Sequence, residues 1–351
     1  MRLAADRCGR VAGTLALALA AALLAGPLRL PLPWLIGPLL AVAFAGVLGA
    51  RVDCPTPLRN AGQWVIGTAL GLYFTSTVLA TIVTLAPALA AGIVWAMLAG
   101  LLYYWLLAWV SGAVSSGERA TAFFSAAIGG ASEMAVLGER HGGRIDHIAM
   151  AHSLRLLIVV VAVPFGLQWS GMHGIDAATP GPARVHLGGL ALLGSLTLAG
   201  SLLMLRSRLP NPFVLGSMAV ALALTGSGIE LSALPPTVSH AGQLLIGCAL
   251  GARFTPDFRY SAPRWLATVT IGACALIALS ASFAWVLARL AGLPWVTVLL
   301  GTSPGGIAEM CITAKVLQLG VPVVTAFHVT RYIAVLLCMA PLFRWLERRR
   351  G

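Results

Sequence analysis

Two glutamates lie inside apolar segments of this sequence, and each follows a pair of glycines at the same spacing. Glu133 stands three residues after the second glycine of the pair 129–130, and Glu309 stands three residues after that of the pair 305–306. A carboxylate at membrane depth is costly, usually faces the interior of a helix bundle and often marks an ion or proton path. The pattern therefore predicts two carboxylates that flank a central site, where they bind a cation or proton or cap half-helices.

Each glutamate is followed by a helix that carries a histidine and an arginine three residues apart. His152 precedes Arg155, and His328 precedes Arg331, a spacing that puts both side chains on one helix face. Arginine presents a planar fork that suits a carboxylate, either of a protein glutamate or of an anionic solute. Histidine changes charge near neutral pH and can couple transport to protons. Two alternatives stay open: an ion pair of each arginine with the glutamate of its repeat, and histidines that only pack.

The same motifs occur twice in the same order, which predicts a duplicated unit. Ten of the fifteen residues of 61–75 are identical in 241–255, and a Leu-Pro-x-Pro-x-x-x-Gly motif begins at both residue 30 and residue 209. In a membrane protein, such repeats are the layout of many transporters. The predicted divisions are a first membrane repeat at 1–170, a linker at 171–185 and a second membrane repeat at 186–351.

Within the repeated segments, Gln63 and Gln243 each precede a Gly-x-x-x-Gly motif. This spacing of glycines lets two helices approach closely, so we expect packing interfaces there. The glutamines either line the cavity or bond across helices. We expect the prolines of the Leu-Pro-x-Pro motifs to open helices, where proline is tolerated.

The composition is that of an integral membrane protein. Of the 351 residues, 59% are hydrophobic and 10% are charged, and the mean hydropathy is +0.90; a soluble domain carries about 25% charged residues. The net charge of +12 is concentrated in short loops and at the ends, where it orients a membrane protein rather than binding nucleic acid. The basic residues before the first apolar run also fit a cleaved signal peptide, but the same element returns at 188–205, which favours a retained helix.

The distribution of positive charge favours ten membrane crossings over twelve. Each repeat has six apolar stretches, and the segments 119–138 and 293–318, which contain the glycine pairs, are the candidates for hairpins that do not cross. With ten crossings, 17 Lys and Arg face the cytoplasm and 4 face outward, whereas twelve crossings give 12 and 9. The positive-inside rule therefore predicts inverted repeats, two re-entrant hairpins and both termini in the cytoplasm.

The sequence lacks the constellations of soluble enzymes. It contains no P-loop, no Gly-x-Ser-x-Gly and no His-Glu-x-x-His. Its six cysteines form no Cys-x-x-Cys pair, so the sequence supports neither a disulfide framework nor a zinc site. The longest polar segment, at roughly 168–186, is too short for an extramembrane domain. We expect no catalysis, no cofactor, no bound metal and no direct contact with nucleic acid.

Three motifs of this sequence are similar to those of a known family. They are the repeated Leu-Pro-x-Pro-x-x-x-Gly, the repeated Gly-Gln-x-x-x-Gly-x-x-x-Gly, and Ser-Pro-Gly-Gly-x-x-Glu-Met followed by a helix with His-x-x-Arg. Over almost its whole length the chain resembles the bacterial AbrB-type duplicated inner-membrane family, although Ile128 of the first repeat replaces Pro304 of the second. The resemblance implies a protein labelled as a regulator of gene expression, or as ammonia-monooxygenase-like. It does not extend to the small soluble DNA-binding fold of the same name.

The sequence therefore predicts an all-α integral membrane protein of the bacterial inner membrane, with two inverted repeats of about five transmembrane helices and one Gly-Gly-broken or re-entrant helix each. We expect a secondary transporter of a small solute, with H+ or Na+ as a further ligand and the lipid bilayer as partner; the oligomeric state stays open, a homo-oligomer included. The alternative is a membrane-embedded sensor or regulator of gene expression. The candidate substrate- or ion-binding residues are Gly129, Gly130, Glu133, His152, Arg155, Ser303, Gly305, Gly306, Glu309, His328, Arg331, Gln63 and Gln243.

Overall fold

The computed structural model describes residues 2–172, 184–256 and 263–349, and the regular secondary structure of this part is all helical. Those residues contain no strand, which confirms the all-α prediction. The helices before the predicted linker are α1 (Arg2–Ala25), α2 (Pro33–Val47), α3 (Thr56–Gly71), α4 (Ser76–Thr84), α5 (Ala86–Ser111), α6 (Ser116–Ala126), α7 (Ala131–Arg140) and α8 (Ile145–Trp169). The helices after it are α9 (Leu187–Arg206), α10 (Pro212–Gly226), α11 (Pro236–Gly251), α12 (Pro263–Ala291), α13 (Trp295–Thr302), α14 (Ile307–Leu317) and α15 (Val321–Arg348).

Six of these helices are long and apolar enough to cross a membrane: α1 from Asp6 onward, α5, α8, α9, α12 and α15. Their lengths and composition are those of a multi-pass membrane protein. Helices α2 and α10 are apolar but have 15 residues each, about 22 Å at the rise of an α-helix. Helices α3 and α4 meet at a bend of 85°. The ten crossings, the inverted orientation and the duplication itself stay predictions.

The chain forms two compact units, each drawn from both halves of the sequence. Unit 1 consists of Met1–Val83, Gln168–Arg259 and Lys315–Pro322, and unit 2 consists of Thr84–Leu167, Tyr260–Ala314 and Val323–Gly351. The predicted repeats divide the sequence into two halves, so they do not coincide with the compact units. The division into repeats stays a prediction. Residues 173–183 of the predicted linker lie outside the described residues.

Unit 1 is held together by close helix contacts at the two Gly-x-x-x-Gly motifs. A methyl group on Gly71 of α3 would lie 2.6 Å from the carbonyl oxygen of Met218 in α10. A methyl group on Gly251 of α11 would lie 2.7 Å from the carbonyl oxygen of Leu39 in α2. Only glycine permits such an approach of two backbones, which confirms the packing interpretation of these motifs.

The Leu-Pro-x-Pro motifs open α2 and α10, as predicted. Pro33 and Pro212 are the first residues of these helices, where the missing N–H has no intrahelical partner to lose. The residue before each proline has a left-handed backbone, with φ 52° at Leu32 and φ 50° at Asn211. Asparagine tolerates this conformation, whereas leucine is disfavoured there, so Leu32 depends on its complete burial to hold it.

Lys315, the single lysine of the sequence, fixes the end of α14 within unit 1. Its Nζ donates a hydrogen bond to Ser239 Oγ in the first turns of α11, at 3.2 Å. Arg253 lies two residues after the end of the same helix, about 21 Å further along the α11 axis. Lys315 and Arg253 therefore lie toward opposite ends of α11.

This separation predicts that positions 315 and 253 face opposite compartments. In a variant whose six native cysteines are replaced, Lys315→Cys and Arg253→Cys should react with a membrane-impermeant maleimide from opposite sides of oriented vesicles. Reaction of both cysteines from the same side would contradict the inverted orientation of the repeats.

The close contact of α11 with α2 gives a test of the packing. Gly247→Ala should lower the unfolding temperature of the purified protein in detergent, because its methyl group would overlap the carbonyl oxygen of Leu35. Overpacking of this kind costs about 1–3 kcal/mol. Gly13→Ala in α1, where nothing lies within 4 Å, is the matched control. Equal effects of the two substitutions would show that α11 and α2 are not in contact at Gly247.

Candidate functional site

The two segments with glycine pairs are each broken into two half-helices at the same point. Helix α6 ends at Ala126, and the next residue, Ala127, is extended with φ −55° and ψ 132°. Helix α13 ends at Thr302, and Ser303 takes the corresponding angles of −58° and 144°. The predicted breaks are therefore confirmed. The first forms as fully as the second, although Ile128 stands in place of Pro304.

The first half-helix pair is a hairpin whose two ends lie together. A methyl group on Gly117, at the start of α6, would lie 2.5 Å from the carbonyl oxygen of Gly142, just after α7. The backbone N–H of Arg144 donates to Thr121 Oγ1 at 2.9 Å. Because the chain enters and leaves at the same end, α6 and α7 form a re-entrant hairpin rather than one interrupted span.

Contacts along α15 give the second pair the same geometry. Arg331 binds the break itself, and His328, one turn earlier in α15, donates to the carbonyl oxygen of Leu300 in α13 at 2.9 Å. Thr325, a further turn earlier, donates to Cys311 Sγ in α14 at 3.2 Å. Both half-helices therefore run from the break in the same direction along α15, as the arms of a hairpin do.

The opening of the first hairpin is capped and fixed to α15. Ser115 Oγ accepts from the Glu118 N–H at 3.2 Å, and the Glu118 carboxylate accepts from the Ser115 N–H at 2.9 Å, which completes a capping box. This backbone N–H of Ser115 is the main cause that lowers the pKa of Glu118. Arg119 donates two hydrogen bonds to the carboxylate of Glu347 in α15, from Nε at 2.7 Å and from Nη2 at 2.8 Å. The hairpin therefore begins at a defined place on α15.

In the first hairpin, a buried arginine binds the end of α6. Arg155 Nη1 donates to the carbonyl oxygen of Ala127 at 2.9 Å, and its Nη2 lies 3.1 Å from His152 Nδ1. His152 Nε2 lies 2.8 Å from the carbonyl oxygen of Phe124. The last carbonyl groups of a helix lack partners and carry its negative dipole charge. The guanidinium therefore supplies both the hydrogen bonds and the positive charge that the end of α6 requires.

The second hairpin repeats this arrangement. Arg331 donates through Nη1 to the carbonyl oxygen of Ser303 at 2.6 Å and through Nη2 to that of Gly305 at 2.7 Å. Its Nη2 also lies 2.7 Å from His328 Nδ1. Carbonyl oxygens and an imidazole nitrogen, rather than a carboxylate, are thus the hydrogen-bond partners of both arginines. The structure therefore does not show the alternative, an ion pair between each arginine and the glutamate of its repeat.

These contacts define which nitrogen of each imidazole ring carries a proton. In each ring, Nε2 faces a carbonyl oxygen and must donate, while Nδ1 faces an arginine N–H and must accept. His152 and His328 are therefore neutral in this arrangement. A second proton on Nδ1 would point one N–H group at another, so uptake of a proton would break the contact with the arginine.

The two glutamates lie on the other side of each break, where the second half-helix begins. Glu133 and Glu309 lie in the first turns of α7 and α14, at the positive ends of these helices. Each carboxylate folds back over the second glycine of its pair, so that a methyl group on Gly130 or Gly306 would overlap Oε2 of its own glutamate. Each carboxylate therefore lies beside the N-terminus of its own half-helix, where the helix dipole favours negative charge, and each glycine makes room for it. The capping function stays a prediction.

The first break also lies against α15, close to the arginine of the second. A methyl group on Gly129 would lie 2.9 Å from Val335 Cγ1, and one on Gly130 would lie 3.0 Å from Tyr332 Cε2. Arg155 and Arg331 are within electrostatic range of each other. Both breaks and both arginines therefore belong to one cluster around α15, inside unit 2.

Three buried polar atoms of this cluster have no hydrogen-bond partner: Arg155 Nε, Arg331 Nε and Ser125 Oγ. The hydroxyl of Tyr332 has no partner within 3.5 Å but interacts with the carboxylate of Glu133. Buried polar groups are almost always satisfied, by protein, water or ligand. Sequence reasoning missed Tyr332 and Ser125, because a tyrosine and a serine in apolar helices are common and carry no repeated motif. The position of Tyr332 directly after Arg331 was the only signal.

Eleven of the thirteen predicted site residues lie in unit 2, at or beside the breaks, and two do not. Gln63 and Gln243 belong to unit 1, in α3 and α11. Gln63 Nε2 donates to Asn211 Oδ1 at 3.4 Å, a bond across helices, and Gln243 is buried. Among the described residues, no three His, Cys, Asp or Glu side chains gather in a metal-ligand group.

A double-mutant cycle tests the capping function of Glu309. The three atoms closest to a methyl group on Gly306 all belong to Glu309, so Gly306→Ala should destabilise the protein by displacing that carboxylate. The expected cost is about 1–3 kcal/mol in the otherwise unchanged protein, and close to zero in a Glu309→Ala background. Thermal unfolding of the four variants gives the coupling. An equal cost in both backgrounds would show that the carboxylate does not lie over Gly306.

Comparison with known proteins agrees with the family resemblance of the motifs. The family model described as "Transition state regulatory protein AbrB" matches residues 34–347. The chain is similar to "Putative regulator AbrB" of Escherichia coli (strain K12), with 25% identity over 91% of each chain. It is also similar to "Uncharacterized protein YhjN" of Bacillus subtilis (strain 168), with 26% identity over 83% of this chain and 79% of the relative. Since the family match spans most of the sequence, the chain belongs to the AbrB family of multi-pass helical proteins.

Proposed function

We propose that the protein is a secondary transporter of a small solute, which binds where the hairpins α6–α7 and α13–α14 meet α15. The observation that carries the proposal is the set of unsatisfied polar atoms of Arg155, Arg331 and Ser125 beside two backbone breaks. Broken backbone at membrane depth is tolerated only when it is buried in protein or lines a wet cavity. Transporters use such breaks to present backbone and side-chain groups to a solute.

The charges around the breaks support a binding site that can exist in a membrane. Each arginine offsets the negative end of one half-helix, and each glutamate offsets the positive end of the next. Two positive and two negative side chains therefore balance one another across the hairpins. The protein can keep polar groups at mid-depth without a net charge that the bilayer would penalise.

The finer assignments belong to this proposal. The protein sits in the bacterial inner membrane with both termini in the cytoplasm, its two repeats are inverted, and H+ or Na+ drives the solute. Because both histidines are hydrogen-bonded on both nitrogens, the glutamates are the better candidates for a coupling proton. The proposal is for transport rather than catalysis.

Uptake by reconstituted vesicles tests the proposal. Proteoliposomes are incubated with a defined mixture of organic acids, amino acids and amines, and their contents are measured by mass spectrometry. At least one solute should enter faster than into protein-free liposomes, and the Glu133→Gln, Glu309→Gln double variant should abolish this difference, because amides cannot carry the charge that caps α7 and α14. The matched control is Glu139→Gln with Glu230→Gln, two exposed glutamates.

Two results would contradict this account. Entry of no solute above the protein-free level would contradict transport. Uptake that survives the Glu133→Gln, Glu309→Gln double variant would contradict the proposed site.

A second candidate function is a membrane-embedded regulator of gene expression, which the names of the family and of the Escherichia coli relative favour. The two candidates differ in one observable. If the protein regulates without transporting, a variant without flux should still rescue the gene-expression phenotype of a deletion strain. If it acts through solute levels, rescue and flux should be lost together.

A further inference from the structure

We propose that Cys54 and Cys248 form a redox-active dithiol, in which Cys54 reacts with a hydroperoxide and Cys248 then closes a reversible disulfide. Both cysteines lie in unit 1, so this modification site does not depend on the transport site proposed above. Three features support the proposal: the contact between the two thiols, the difference in their exposure, and the charge beside Cys54.

The two cysteines are far apart in the sequence and lie together in the structure. Cys248 of α11 forms a small buried core with Ala18 of α1 and Val42 of α2, and Cys54, in the loop between α2 and α3, packs against this core. The thiols of Cys54 and Cys248 are hydrogen-bonded to each other. A disulfide therefore requires only a short further approach of two neighbouring sulfur atoms.

The loop that carries Cys54 is fixed in this position by α1. The backbone N–H of Asp53 donates to Thr14 Oγ1 at 3.0 Å, and Arg7 Nε donates to the Asp53 carboxylate at 3.0 Å. The loop therefore holds Cys54 against α11, and closure of a disulfide between two such positioned groups is effectively unimolecular.

The exposure of the two sulfur atoms sets the order of the reaction. Cys248 is 0% exposed, whereas Cys54 is partly exposed in a loop beside the exposed Arg51, so a hydroperoxide reaches Cys54 first. The Cys54 thiolate attacks one peroxide oxygen, the O–O bond breaks, and the products are a sulfenic acid and an alcohol, or water from hydrogen peroxide. Cys248 then attacks the sulfenic sulfur and a water molecule leaves. The two thiols lose two electrons and two protons, and the peroxide accepts both.

Cys54 has the surroundings of a reactive thiol. The hydrogen bond from Cys248 and the positive charge of Arg59 hold the pKa of Cys54 below its ordinary value, although burial and Asp53 act in the opposite direction. Arg59 Nε, one turn into α3, is buried without a hydrogen-bond partner and so has a donor to offer a thiolate. Because the thiolate is the nucleophile, these contacts favour oxidation at Cys54.

Packing at these two positions does not require sulfur. In the alignment that matches 61–75 with 241–255, Leu234 corresponds to Cys54 and Thr68 corresponds to Cys248. Leu234 packs against a buried apolar cluster in the same way as Cys54. The thiol pair is therefore a feature of one predicted repeat and is not needed to fill the space.

Disulfide mapping by mass spectrometry tests the proposal on the purified full-length protein in detergent. The protein is fully reduced, freed of reductant and titrated with hydrogen peroxide, and the remaining thiols are then alkylated. We expect the peptides of Cys54 and Cys248 to be joined at a peroxide concentration that leaves the exposed Cys8 alkylated. Dithiothreitol should return both free thiols.

Two serine variants separate the two steps. Cys248→Ser should stop the reaction at a sulfenic acid on Cys54, which dimedone traps, because no second thiol is present. Cys54→Ser should leave Cys248 reduced, because Cys248 is buried. Cys8→Ser is the matched control, since it removes an exposed thiol outside the pair, and the disulfide should form in it at an unchanged rate.

Three results would overturn the proposal: no disulfide between Cys54 and Cys248 after peroxide, oxidation of Cys8 before Cys54, or no dimedone adduct on Cys54 in Cys248→Ser. Solute uptake is not measured in this experiment. Absence of flux would therefore leave the dithiol standing, and absence of the disulfide would leave the transport proposal standing.

Discussion

A buried arginine that binds the carbonyl end of a half-helix is the interaction on which the rest of this structure depends. Arg155 closes α6 and Arg331 closes α13, each with direct hydrogen bonds to backbone oxygens in the break. Without such a partner, a helix that stops in the middle of a membrane would leave several carbonyl groups unsatisfied. The arginines allow the chain to turn back at each break, and the hairpins follow from that turn.

The turn creates both the polarity and the charge pattern of the cluster. Once a half-helix ends, the next one must begin, and its positive terminus is met by Glu133 or Glu309. The terminal nitrogens of each guanidinium group donate hydrogen bonds to backbone carbonyl oxygens. Nε of each arginine has no hydrogen-bond partner. The same constraint that stabilises the break therefore supplies unused donors, and in the proposed transport site these donors bind the solute.

The sequence predicts the breaks and the residues around them, but not their partners. The glycine pairs gave the position of each break, and the His-x-x-Arg spacing put both side chains on one helix face, which the contacts of Arg331 with His328 confirm. The sequence could not decide between a glutamate and a backbone carbonyl as partner of the arginine, because both accept hydrogen bonds from a guanidinium group. Nor could it assign Tyr332, whose importance depends on where α15 passes the first break.

The most direct test of the account is a high-resolution cryo-electron microscopy map of the protein in lipid nanodiscs. The account predicts two re-entrant hairpins, with Arg155 on the carbonyl oxygen of Ala127 and Arg331 on those of Ser303 and Gly305. Unbroken helical density through either glycine pair, or arginines bound to the glutamates in place of the backbone, would contradict it.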